Sequence, residues 1–255
     1  EAAEAENVRA IGAPEVDVTA VPLEDGQDFT FTVETDVRPE VELPDLEGIA
    51  VEVDAVEASE EDIEERLTAL RELPALDDDF AQLASEFDTL EELRADVARQ
   101  AEQGKKYEQG IQARDKVLEH LLETVDVAVP EGVVEAEVHQ HLEGENRLDD
   151  DEHRAEVQES TRRALKAQFL LDAIAEKLEV RVEQPELIEY LVMSAQQYGM
   201  DPNTFAQTID QQGQIPSIVQ EVARRKGLAA VLDQAVVTDT AGNVIDLNEL
   251  VPQQD

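Results

Sequence analysis

The spacing of apolar residues along this chain changes from two to three-and-four near residue 75. Before that point Val16, Val18 and Ala20 alternate with Asp17 and Thr19, and Phe29, Phe31 and Val33 alternate with Thr30, Thr32 and Glu34. A period of two belongs to half-buried strands. The Glu24-Asp25-Gly26 turn signal between the runs predicts an antiparallel pair. Residues 1–14, Ala/Glu-rich and then broken at Gly12-Ala13-Pro14, read as the tail of a helix entering a turn. Pro39 ends or edges the second strand, and Val51 and Val53 predict one more short extended piece. So few strands leave an apolar face that something else must cover.

From Ser59 onward the period is helical. Ser59-Glu60-Glu61-Asp62 matches a capping box ahead of Ile63, Leu67 and Leu70, a short amphipathic helix that ends near Pro74. Asp77, Asp78 and Asp79 then precede Phe80, Leu83 and Phe87. Asp88-Thr89-Leu90-Glu91 reads as a helix start with Asp88 as the cap and Glu91 as its reciprocal partner. One long helix is predicted over 88–125, with Leu93, Val97, Ala101, Ile111, Leu118 and Val125 on one face. Gly104 and Gly110 each cost it roughly 1 kcal/mol against Ala, which packing must offset.

Pro130 opens the next helix, striped by Val134, Val138 and Leu142. A polar tip, 144–151, separates it from a helix over about 152–178, and the two read as an antiparallel hairpin. Gln184-Pro185 opens a helix that Gly199 closes, Asp201-Pro202 opens one that Gly213 stops, and another carries Ile215, Ile218, Val222 and Leu232. Val236-Val237 and Val244-Ile245, flanking Thr240-Ala241-Gly242-Asn243, predict a closing hairpin. No fixed-period repeat is visible.

Charge changes the picture more than composition does. The formal net charge is -42, from 62 acidic and 20 basic residues, and residues 1–60 carry Arg9 and Arg38 as their only bases. Such a chain repels phosphate backbones and anionic lipid, so neither direct nucleic-acid binding nor membrane binding is expected. The absence of cysteine excludes disulfides and thiolate metal sites and fits a cytoplasmic location. No apolar run approaches the ~20 residues of a membrane span. The chain starts at Glu1 rather than Met, and the expectation is that its true N-terminus lies further upstream.

Chemistry-bearing motifs are missing. There are 4 histidines, and His139 and His141, two apart, point to different sides of a helix. They do not form the i, i+4 histidine pair of a helical zinc site, so no metal site is expected. No nucleophile elbow, phosphate loop or dinucleotide fingerprint occurs, so no cofactor and no catalytic residue are assigned. Carboxylates are too abundant for any one pair to stand out as catalytic.

The word-level pattern is more informative. Leu73-Pro74, an acidic run, Phe80-Ala81, and then Ser85-Glu86-Phe87-Asp88-Thr89-Leu90-Glu91-Glu92-Leu93 resembles the start of the C-terminal chaperone domain of the trigger factor family. Upstream, Phe29-Thr30-Phe31-Thr32-Val33-Glu34 and Arg38-Pro39-Glu40-Val41-Glu42-Leu43 resemble the end of that family's N-terminal domain, and Val129-Pro130-Glu131 also fits. The implied fold class is α+β, mainly α: a small antiparallel β piece from an α/β N-terminal domain, plus an elongated helical chaperone domain with two arms. The implied boundaries are 1–55 for the remnant of the ribosome-binding type domain, 56–74 for a connecting helix, and 75–255 for the chaperone domain. Arm one runs over about 130–180 and arm two over about 184–212. In the family, the connecting helix leads into a prolyl isomerase domain. Here Glu72 runs straight into Leu73, as though that domain were deleted and its ends rejoined, so no isomerase activity is expected.

The resemblance implies a chaperone that binds unfolded or nascent polypeptides through dispersed apolar patches, without ATP. The expected client-binding residues are Val134, Val138, Leu142, Phe169, Tyr190, Met193, Tyr198, Met200 and Phe205. The family's basic Gly-Phe-Arg loop for ribosome contact does not occur, so a ribosome contact is expected only through N-terminal sequence absent here. Homodimerisation stays open. Two alternatives remain at this point: a periplasmic folding factor of the helical SurA-like kind, and a helical adaptor that binds one partner tightly.

Overall fold

The computed structural model describes residues 10–20, 30–56, 59–69 and 78–247. The Glu24-Asp25-Gly26 turn, Phe29, the Glu72-Leu73 join and Pro74 lie outside the described residues. The elements run β1 (Ala10–Ala20), β2 (Thr30–Val37), β3 (Ala50–Val53), α1 (Glu60–Ala69), α2 (Asp78–Ala84), α3 (Leu90–Thr124), α4 (Glu131–Gly144), α5 (Asp151–Lys177), α6 (Gln184–Gln197), α7 (Pro202–Gln211), α8 (Ile215–Leu232) and β4 (Val236–Asp239). The mainly helical α+β expectation is met. The chain forms two compact units, one of Glu1–Asp45 with Leu121–Leu228 and one of Leu46–His120 with Ala229–Asp255.

In the second unit, Ile63 and Leu67 of α1, Phe80 and Ala81 of α2, and Leu93 and Val97 of α3 form one core. The helical spacings predicted for these residues bring them to a common face. The helix start at α3 falls one residue later than predicted. Thr89 Oγ1 accepts from the Glu92 N–H (3.3 Å), and the Glu92 carboxylate accepts from the N–H groups of Asp88 (3.2 Å) and Thr89 (3.3 Å). The capping box is therefore Thr89 with Glu92, and the Asp88–Glu91 assignment is corrected. Asp78 takes the next free donor, the Leu90 N–H, at 2.8 Å.

Val51 and Val53 pair with β4 in parallel, Val51 opposite Val237 and Val53 opposite Asp239. The predicted closing hairpin is reduced to a turn. Thr238 bridges Val244 and the Ile245 N–H donates to the Val237 carbonyl at 2.9 Å, with no second strand formed. Asp239 holds that turn: its carboxylate accepts from the N–H groups of Ala241 (3.0 Å) and Asn243 (2.7 Å) and from Asn243 Nδ2 (2.9 Å). These bonds, led by the Asn243 side chain, hold its carboxyl below the usual range.

In the first unit, β1 and β2 pair antiparallel, Val16 opposite Val33 and Val18 opposite Phe31. All four side chains are exposed, so the alternation does not mark a buried face on this ribbon. The α4–α5 hairpin closes on Val134, Val138, Leu142 and Val157. Further along α5, Phe169, Leu170 and Ile174 are buried. Gly227 of α8 lets the backbones of α8 and α5 approach: a Cβ there would lie 3.3 Å from the Ala175 nitrogen. Arg224 of α8 joins Asp172 of α5 at 3.0 Å, with both side chains mostly shielded. In a pair shielded to this degree the cost of desolvating both charges offsets much of their attraction.

Candidate functional site: arm two and the hairpin tip

The second arm is built by two helix starts and a glycine stop. Glu183 and Glu186 form a reciprocal capping box at the start of α6, followed by Pro185 in the first turn. Gly199 ends the helix with φ +63°, a conformation that other residues adopt only with strain. Asp201 then caps α7 by accepting from the Thr204 N–H at 3.0 Å. Lys226 anchors α6 through the Glu186 carboxylate at 2.6 Å, and this bond holds Glu186 below the usual carboxylate range.

The inward face of the arm is Leu191, Ala195 and Ile209. Among the polar side chains outside, several large apolar ones are exposed. Tyr198 is 70% exposed, Ile188 52%, Met193 51% and Met200 39%. Tyr198 stacks on half-buried Phe205, with ring centroids 5.9 Å apart. Half-buried Tyr190 carries the Arg225 guanidinium 4.9 Å above its ring. These side chains are spread around the arm rather than gathered on one face.

Nine residues were expected to meet a client, and the structure divides them. Tyr190, Met193, Tyr198, Met200 and Phe205 all lie on or beside α6 and α7. Val134, Val138, Leu142 and Phe169 do not reach the surface. The first three are 0%, 3% and 0% exposed in the α4–α5 seam, and Phe169 is 4% exposed. The physical reason is the hairpin: the Val134 stripe meets Val157 across the turn and is consumed in holding two helices together. These four are withdrawn as contact residues. Ile188 was missed, because an isoleucine on an amphipathic helix reads as core and nothing local marks it as outward-facing.

A cavity of about 800 Å³ lies in the same unit, between the β1–β2 ribbon and the α4–α5 hairpin. Glu15, Glu34, Asp36 and Glu135 line it with Arg154, so it is an acidic groove rather than an apolar pocket. At the hairpin tip, His141 of the last α4 turn and Glu145, the residue that caps that helix, face His153 of the first α5 turn. Glu145 Oε2 lies 2.7 Å from His153 Nε2, and Glu145 Oε1 lies 3.3 Å from His141 Nε2. The His153 hydrogen bond, reinforced by the charges of His141, His153 and Arg147, holds the Glu145 carboxyl below its usual range. The expectation of no metal site rested on the His139–His141 spacing. The i, i+4 relation that exists is His141 to Glu145, and His153 joins it only through the fold.

Helical hairpins with dispersed exposed apolar side chains, on a chain without catalytic motifs, are what a molecular chaperone presents to a client. Comparison with known proteins makes the assignment specific. The family described as "Bacterial trigger factor protein (TF) C-terminus" matches residues 89–233, and "Bacterial trigger factor protein (TF)" matches residues 1–70. Trigger factor from Kineococcus radiotolerans is 46% identical over 344 aligned positions, covering 98% of this chain and 73% of the relative. Trigger factor from Arthrobacter sp. FB24 is 41% identical, covering 98% and 75%. The chain belongs to the trigger factor family, and the chaperone reading is favoured over the periplasmic and adaptor alternatives. A solved trigger factor chaperone, studied for promiscuous substrate recognition in folding and assembly, superposes with a TM-score of 0.60 at 18% identity, over 90% of this chain and 80% of that one. That likeness shows the fold.

Proposed function

We propose that the chain holds unfolded or nascent polypeptides through the exposed side chains of α6 and α7, without ATP. The observation that carries this reading is the dispersed exposure of Ile188, Met193, Tyr198 and Met200 on one short arm. Met and Tyr fit varied partners, the first by flexibility and the second by presenting a large face with few torsions to freeze. A contact of about 300 Å² at ~25 cal/mol per Å² gives roughly 7 kcal/mol gross, and the association cost of about 4–15 kcal/mol cancels most of it. Single contacts are therefore weak. Several contacts along one client act together, and exchange stays fast.

The same reading places the protein in the cytoplasm and carries no isomerase step. Its alignment with the Kineococcus relative runs over 344 positions against the 255 residues of this chain, so the relative carries sequence that this chain does not. That difference supports a missing inserted domain, with the Glu72-Leu73 join as its position. Ribosome contact, in this reading, needs N-terminal sequence other than residues 1–60 and their acidic surface.

The test is the double substitution Met193→Ser with Tyr198→Ser, read by suppression of aggregation of a denatured client and by far-ultraviolet circular dichroism. The expected outcome is reduced holding with helix content kept, because both side chains are exposed. Unchanged holding would move the client surface elsewhere. Joint loss of holding and helicity would make both residues structural.

A further inference from the structure

We propose that His141, Glu145 and His153 form a binding site for one transition-metal ion of the zinc class, which clasps the α4–α5 hairpin at its tip. Each residue offers one ligand atom, and these atoms all lie within 4.8 Å of one another. A tetrahedral zinc site has metal–ligand bonds of about 2.0–2.2 Å, which sets its ligand atoms about 3.4 Å apart. The 3.3 Å from His141 Nε2 to Glu145 Oε1 is close to that value, and the 2.7 Å from His153 Nε2 to Glu145 Oε2 falls short of it and must widen as an ion replaces the hydrogen bond. Receiving an ion requires the side chains to shift by roughly 0.7 Å at the closer pair, within the reach of exposed rotamers.

The backbone around the three is fixed independently of them. The α4 end closes through Arg147 N–H to the Leu142 carbonyl at 2.8 Å, with Asn146 in the left-handed region at φ 57°. Asp150 caps α5 by accepting from the His153 N–H at 3.0 Å. Arg147 lies beside the cluster, 3.9 Å from Glu145, and its guanidinium is bound to Asp150 at 2.7 Å, which offsets its charge. Glu156 completes the arrangement. Its carboxylate lies 3.6 Å from His153 Nδ1, on the ring edge away from Glu145. A ligating histidine usually has a carboxylate beside its other ring nitrogen, and Glu156 stands where a small rotation makes it that outer partner once Nε2 exchanges its hydrogen bond to Glu145 for a metal.

The donor set names the class of ion. Two imidazoles and one carboxylate suit Zn²⁺, Ni²⁺ or Cu²⁺, whereas Ca²⁺ and Mg²⁺ require six or more oxygen ligands. His141 and Glu145 are exposed, so water fills the remaining position. Three protein ligands on an open tip give micromolar rather than structural-zinc affinity. An ion held there ties the end of one helix to the first turn of the next, across the turn at 145–150.

The experiment is titration of the full chain, free of any histidine tag, with zinc chloride by calorimetry and equilibrium dialysis. One ion per chain is expected, displaced by Ni²⁺ and not by excess Mg²⁺. His141→Ala, Glu145→Gln and His153→Ala should each weaken binding at least tenfold. His139→Ala, on the same helix and outside the cluster, should leave it unchanged. Glu145→Gln keeps the shape of the side chain and carries the test if a histidine variant loses helix content. Binding that Mg²⁺ displaces, that exceeds one ion without saturation, or that His139→Ala weakens as much as His153→Ala would overturn the site in favour of diffuse attraction to an acidic surface.

Discussion

At the residue scale the decisive distinction is which polar and apolar side chains are spent on structure. Leu142 and Tyr198 are both large residues on arm helices, yet one is fully buried and the other is 70% exposed. Truncating a buried leucine costs about 2–5 kcal/mol, whereas an exposed side chain away from special features contributes within about 0.5 kcal/mol. Among polar groups Asp239 is the counterpart of Leu142, being 6% exposed and bonded on both carboxylate oxygens. Its folded pKa lies below the usual carboxylate value, so its ionised form is favoured by folding. The stability it contributes is present above the unfolded aspartate pKa and is lost as pH falls through that range to the lowered folded value. The expected outcome is that Asp239→Ala lowers the urea midpoint at pH 7, and that the gap to the parent protein narrows steadily on acidification towards pH 3. A gap that is constant with pH would mean that the carboxylate charge contributes nothing to this turn.

At the element scale, two helix-interior glycines look alike in sequence and differ in what faces them. A Cβ on Gly104 of α3 would meet only the end of the Arg66 side chain, at 3.1 Å, and a guanidinium on a flexible stem can move aside. Gly104→Ala should therefore recover helix propensity and stabilise the protein by up to ~1 kcal/mol. A Cβ on Gly227 of α8 would meet the Ala175 backbone at 3.3 and 3.4 Å, and a packed helix backbone cannot yield alone. Gly227→Ala should lower the melting temperature, and thermal unfolding of the two variants side by side checks the opposite signs. The same contrast explains what was legible in the sequence. Helix starts and stops at Pro130, Pro185, Gly199, Asp201-Pro202 and Gly213 were readable because each uses a local backbone rule. The parallel pairing of Val51 with Val237 was not, because nothing local links strands so far apart in the chain. The Val134 stripe was read as helix correctly and as surface wrongly, since periodicity shows that a face is apolar without showing what covers it. The tip cluster escaped for a related reason: His153 meets His141 and Glu145 only after the turn at Asn146 has reversed the chain.

At the scale of the whole molecule, charge sets the terms on which a protein with exposed apolar side chains persists. A holding protein must leave side chains such as Met193 and Tyr198 uncovered, which invites self-association. A net charge of -42 opposes it, because copies repel one another before their apolar patches meet. The same charge works against the fold. With 62 acidic and 20 basic residues, the cations cannot pair one to one with the carboxylates, so repulsion among carboxylates outweighs the attraction within ion pairs. The ion pairs between shielded side chains, such as Arg224 with Asp172, are little affected by salt, whereas exposed repulsion is screened within a Debye length of about 10 Å at 0.1 M salt. Raising sodium chloride from about 20 mM to 0.5 M should therefore raise the melting temperature, the reverse of what a fold held by surface salt bridges would show. Light scattering over the same series should rise as well, because the repulsion that keeps copies apart is screened along with the repulsion within each copy. A melting temperature that falls with salt would mean that specific ion pairs, rather than the excess of carboxylates, dominate the electrostatics of the folded chain.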